Sequence, residues 1–191
     1  MIALSERGRV AVTEVLGRGA ARAAAALGRR IGLDVTLTVP TVDVLFARVA
    51  ADVLEPATPG GVLAVVQHFE GAIEGTAAIV VAPESNAALA TLAPADRNGV
   101  IDVGRTVLTA CLGSLASVVG GRIVTSPSEV FTAAPCDLMA TMAPCPSSEA
   151  MVLFLNVEFA AARIQGAVTL VMAIRSAERF AEQLDALAPA A

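Results

Sequence analysis

Two acidic residues each stand one helical turn before a basic one: Glu14 is followed by Arg18, and Asp102 by Arg105. At spacings of four and three, each carboxylate shares a helix face with its guanidinium. Such a pair has two uses. It can be a solvated intrahelical ion pair of small energetic value. Alternatively, the charges can engage a partner together, the acid meeting a basic group and the guanidinium meeting carboxylate or phosphate oxygens. The other reactive residue types are scattered. His68 is the one histidine and reads as a strand residue with no further metal ligands grouped near it. Cys136 and Cys145 share an Ala-Pro-Cys context in a Pro-rich stretch, Ala134 to Ser148, read as a loop, while Cys111 falls in an apolar helix. An odd set of three thiols without zinc spacing fits a reduced cytosolic protein. Gly17-Arg-Gly19-Ala-Ala-Arg22 has the opening of a dinucleotide fingerprint, but it lies inside a helix rather than after a strand, and Arg22 replaces the closing glycine. No cofactor and no metal are expected.

The acids sit on the two stretches around which the chain is arranged. From Val10, the residues Val12, Val15, Leu16, Ala20, Ala23, Leu27 and Ile31, with Gly19 on the same face, recur at three- and four-residue steps. That period predicts one long helix with a buried stripe, which leaves Glu14, Arg18 and Arg22 on another stripe. Gly17 and Gly19 each cost about 1 kcal/mol in a helix interior relative to alanine, so close packing against a neighbouring backbone is expected to compensate. Ser5 is placed to cap the helix start, although Gly8 stands where a capping box wants Glu or Gln. Gly28 and Gly32 offer stops. Alternation then predicts strands through Val35, Leu37 and Val39, and again through Val42, Val44 and Phe46 after Pro40. Val62 to Phe69 and Ile73 to Ala82 read as a hairpin, and Pro83 to Leu92 as a short closing helix.

A second round begins near Asp102. A small-residue helix runs to Gly120-Gly121 and is followed by strands near Arg122 to Thr125 and Glu129 to Ala133. A hairpin of Met151 to Phe159 with Ile164 to Ile174 comes next, then a helix from about Ser176. Ile73-Glu-Gly75 to Ser85 lies over Ile164-Gln-Gly166 to Ser176 with identities at Ile, Gly, Val, Ala and Ser. The chain therefore reads as a single domain of two repeats, about 1–93 and 94–191. Its expected class is α+β, with two layers and the long helices packed side by side on an antiparallel sheet.

Composition excludes several functions. Hydrophobic residues make up 55% of the 191, yet Trp and Tyr are absent, so the core must form by close approach of small side chains. A net charge of −5 argues against a nucleic-acid partner, whose phosphates would need Lys and Arg. Val107 to Gly121 is the most apolar helix, but its length and its Thr109, Ser114 and Ser117 argue against membrane insertion. The opening MIALSERGRV carries charges where a secretory signal needs an apolar core, so no targeting segment and a cytoplasmic location are expected.

With these elements in order, the chain resembles the CheC, CheX and FliY group of chemotaxis phosphatases. That family carries a helix motif of Asp or Ser, three residues, Glu, two residues, Asn, twenty-two residues and Pro, often once per half. Glu14 takes the acidic position and Pro40 the proline, while Asp102 takes the acid of the second half with Pro127 one residue short. The resemblance implies that Glu14 and Asp102 are the catalytic acids, the acid engaging a receiver-domain lysine and the amide orienting water at an aspartyl phosphate. The amide positions are Gly17 and Arg105, and the leading Asp or Ser is Val10 and Asn98. Glycine has no side chain to hold a water, and Arg105 can only donate. The family therefore implies a signalling protein that binds a response-regulator receiver through Glu14, Arg18, Asp102 and Arg105, with weak or no phosphatase activity. The alternative is an active phosphatase. A deamidase of the CheD kind or a motility complex is the other implied partner.

Overall fold

Strands that are buried on both faces read as unbroken apolar runs rather than as strict alternation, and Val62-Leu-Ala-Val-Val66 is such a run. A computed structural model describes residues 5–31, 35–38, 42–54, 61–83, 99–143, 151–159, 164–172 and 174–187. Helix α1 (Glu6–Ile31) leads to β1 (Leu37–Thr38), β2 (Val42–Phe46) and helix α2 (Ala47–Leu54), followed by the hairpin of β3 (Val62–Gly71) and β4 (Gly75–Val81). Helix α3 (Gly99–Val119) then leads to β5 (Ile123–Thr125), β6 (Glu129–Ala133) and helix α4 (Pro135–Met142), followed by β7 (Met151–Phe159), β8 (Ile164–Met172) and helix α5 (Ile174–Leu187).

All described strands belong to one antiparallel sheet. The pair at its centre is β4 with β8, Gly75 opposite Met172 and Val81 opposite Gly166. Aligning Gly75 with Gly166 sets Val81 over Met172, so this register is the one that a two-fold axis between the strands generates. The flanks obey the same rule. β1 and β2 lie end to end along β7, while β5 and β6 lie end to end along β3.

Helices α1, α3 and α5 cover one face of the sheet, where Leu16, Leu108, Leu115, Phe180 and Leu184 pack with Leu63, Val65, Ile79 and Leu170. The α+β class stands, but the expected two layers gain a third. The eight-residue helices α2 and α4 put Ala50, Leu54, Leu138, Met139 and Met142 on the opposite face against Val62, Ala64, Val66, Ala78 and Val80. The expected loop over Ala134 to Ser148 is corrected accordingly. Pro135 begins α4 and removes only a donor that a first helical turn leaves unpaired, and Leu138, Met139 and Met142 give the turn a buried side. Cys136 rides on this helix, exposed. Cys145 and residues 84–92 of the expected helix at Pro83 lie outside the described residues, and Pro83 itself sits in a turn.

Local signals fix the helix ends. The Ser5 hydroxyl accepts from Gly8 N–H at 2.9 Å, the N-cap geometry, and donates to Asp185 of α5. At the end of α3, Gly120 takes φ 63°, the left-handed stop that glycine adopts without a Cβ clash. Within helix α3, the 20 residues from Val100 to Val119 have the length and hydropathy of a membrane span. Its Val107, Leu108, Cys111, Leu112 and Leu115 are each no more than 2% exposed, so its apolarity belongs to the core.

Candidate functional site

On α1 the buried positions Val12, Val15, Leu16, Gly19, Ala20, Ala23 and Leu27 leave Val10, Glu14, Arg18, Ala21, Arg22, Ala25 and Arg29 exposed. Glu14 therefore stands on an outward ridge, as its spacing predicts. Among the described residues no ion pair joins it to Arg18, so the intrahelical pair expected for Glu14 is absent. Val10, in the family's Asp or Ser position, is 55% exposed on the same side of the helix. A Cβ built on Gly17 meets nothing within 4 Å. The amide position thus has room for a side chain and carries none.

On α3 the pair does form. Arg105 Nη2 donates to Asp102 Oδ1 at 2.8 Å, with the arginine side chain 56% and the aspartate 24% exposed. The guanidinium is held toward the acid of its own helix, and it offers donors only. Two residues on from Asp102, Gly104 lets α3 settle on β3: a Cβ there would come within 2.6 Å of Val65 Cβ. Thr106 donates to the Asp102 carbonyl at 2.7 Å, so the hydroxyl beside the pair is already engaged. Leu63, Val65, Ile79, Val81, Val100, Val103 and Gly104 enclose an apolar cavity of about 10 Å³ beneath this turn. That is the space of about one water, lined by apolar side chains.

The remaining candidates separate from this face. His68 lies on β3, as expected, and its Nδ1 is 2.9 Å from Thr76 Oγ1. Among the described residues no three His, Cys, Asp or Glu side chains are grouped to hold a metal ion. Cys111 of α3 is buried beside Gly19 of α1, where desolvation pushes its thiol up to about 12. A thiol in that state is not a nucleophile. Gly17 to Arg22 lies within α1, away from any strand-to-helix turn, so the dinucleotide reading has no structural setting.

Long helices on one side of an antiparallel sheet with two-fold register define a fold that is shared with solved FliY and FliM structures. Thermotoga maritima FliY shares it over 96% of this chain and 98% of its own, at 20% identity and TM-score 0.67. The FliM middle domain from H. pylori does so over 94% and 99%, at 12% identity and TM-score 0.67. FliM in the FliG–FliM complex from H. pylori does so over 94% and 100%, at 12% identity and TM-score 0.64. The resemblance anticipated from the helix motifs holds at the level of the fold. No protein-family model and no curated protein matches the chain.

Proposed function

We propose that this chain is a chemotaxis-type signalling protein of the cytoplasm that docks on a response-regulator receiver domain and hydrolyses its aspartyl phosphate weakly or not at all. In this reading residues 1–191 are one domain of two repeats, about 1–93 and 94–191, and the contact runs through Glu14, Arg18, Asp102 and Arg105. One observation carries it: Glu14 is outward and unpaired among the described residues, while the position one turn on is a glycine with open space around it. The acid remains available to a basic group of a partner. The group that would align water is missing from α1, and on α3 it is replaced by a cation held by Asp102.

The likeness to FliM supports a second reading, in which the docking partner belongs to a motility complex. FliM of this fold is seen in a complex with FliG and in another with SpeE. Both readings predict binding without turnover. The test is a phosphate-release assay with a phosphorylated receiver domain, run beside a binding titration of the same receiver. Binding that weakens about tenfold in Glu14→Ala, with phosphoryl decay unchanged, is the expected result. Decay accelerated by the wild-type chain and abolished in Glu14→Ala would make it a phosphatase instead. Binding of FliG but not of any receiver would select the motility reading.

A further inference from the structure

The charges of this protein are unevenly placed. Helix α1 holds six of the thirteen basic residues, all arginine, against two acids, Glu6 and Glu14. The other 165 residues hold seven arginines and sixteen acids. A chain of net charge −5 therefore carries one cationic helix on an anionic body. The side of α1 that faces solvent concentrates this charge: Arg7, Arg18, Arg22 and Arg29 fall on one stripe, with Ala21 and Ala25 exposed among the last three. Among the described residues, Arg18, Arg22 and Arg29 have no ion-pair or hydrogen-bond partner for their guanidinium groups.

We infer that this ridge is a docking surface for an acidic helix of a protein partner. At about 1.5 Å per residue, Arg18 to Arg29 spans about 16 Å along the helix. The exposed alanines keep the relief low, so a second helix can lie alongside and set carboxylates against successive guanidiniums. Arginine suits this contact, since its planar fork holds a carboxylate with two parallel hydrogen bonds. The anionic remainder of the chain repels extended polyanions, which leaves a compact acidic segment favoured over nucleic acid or an anionic membrane. The ridge shares Arg18 with the receiver contact proposed above but runs past it through Arg22 and Arg29 toward the end of α1, and it does not require the partner to be a receiver.

The test uses the full-length chain and, as probe, a fluorescent helical peptide bearing glutamates at i, i+4 and i+11. Anisotropy titrations at low salt should give binding that weakens about tenfold or more when NaCl rises from 50 to 300 mM, as screening of exposed charges requires. The triple variant Arg18→Glu, Arg22→Glu, Arg29→Glu should lose at least tenfold in affinity. The control Arg175→Glu, Arg179→Glu on the exposed side of α5 should lose less than twofold. Glu14→Ala should not weaken the peptide, which separates failure of this surface from failure of the receiver reading. Circular dichroism and thermal melts check that each variant folds. Equal affinity of the wild-type chain and the α1 triple variant would overturn the inference. So would tighter binding of anionic phosphatidylserine vesicles or single-stranded DNA than of the peptide.

Discussion

Gly19 of α1 faces Ser114 of α3 so closely that a Cβ on the glycine would stand 3.0 Å from the Ser114 hydroxyl oxygen. The same added carbon would be 3.1 Å from the Ala110 carbonyl oxygen and 3.1 Å from Cys111 Cα. Ser114 is buried and donates to the Ala110 carbonyl at 3.0 Å, so its hydroxyl is satisfied within its own helix and does not hold the two apart. The two acid-bearing helices are thus fixed to each other through their smallest side chains.

Gly17 and Gly19 should therefore answer substitution in opposite ways. Gly17→Ala adds a methyl where nothing lies within 4 Å and should stabilise by about 0.5–1 kcal/mol through helix propensity. In a domain of this size that raises Tm by about 1–4 °C. Gly19→Leu forces α1 from α3 and should cost about 1–3 kcal/mol. Parallel denaturant melts of the two variants check both signs.

Gly104 should behave as a seat for α3. Its Cβ would overlap Val65 at 2.6 Å, so Gly104→Ala should destabilise by about 1–3 kcal/mol. Val65→Ala keeps the Cβ but removes both γ carbons, each of which the added carbon would meet at 2.8 Å, so the double variant should be more stable than the sum of the single losses. A double-mutant cycle measures that coupling, and additive losses would place the strain elsewhere.

The amide position offers a gain-of-function experiment. Gly17→Asn puts a carboxamide one turn after Glu14 on the same face, in a place with open space. Phosphate release from a phosphorylated receiver should rise about tenfold or more over the parent chain, on the scale that one well-positioned polar group contributes. Glu14→Ala in that background should remove the gain.

Cys111 should give the protein an alkaline limit. Its thiol stands at about 12 in the fold against 9.0 ordinarily. Below pH 9.0 both folded and unfolded chains hold the proton, and the stabilisation is fully present. From there to about 12 the unfolded chain loses the proton while the folded chain keeps it, so stability falls as pH rises. The sequence has no lysine or tyrosine to titrate in that window. Tm should drop more steeply with pH in the parent than in Cys111→Ala. In a Cys145→Ala background, a thiol reagent should label Cys136 at once and Cys111 only on unfolding.

Much of this architecture was legible because long elements average over many residues. Helices α1 and α3 and the strands of both hairpins emerge from period and apolar run, but the pairing of β4 with β8 does not, because a repeat alone does not say which strands meet at its axis. The short helices escaped. Eight residues are two turns, too few for a period to stand out, and such a helix is held by tertiary burial rather than by propensity. One signal for them was present: a strand like β3, apolar at consecutive positions, requires cover on both faces. Glu14 fell on an exposed ridge as its spacing implied, whereas Asp102 is half-buried, 24% exposed. Spacing alone did not decide pairing, since Asp102 has Arg105 at 2.8 Å and Glu14 has no such neighbour among the described residues.

The exchange of flanking strands ties the two lengths of chain into a clasp. β1 and β2 need β7 beside them, and β5 and β6 need β3, so neither length completes a sheet from its own residues. Cut at the joint, each piece would carry raw strand edges and half of the α1–α3 seam, and each would find in the other the complement it lacks. Two separately made fragments should therefore recover one folded body when mixed, where either alone would clump.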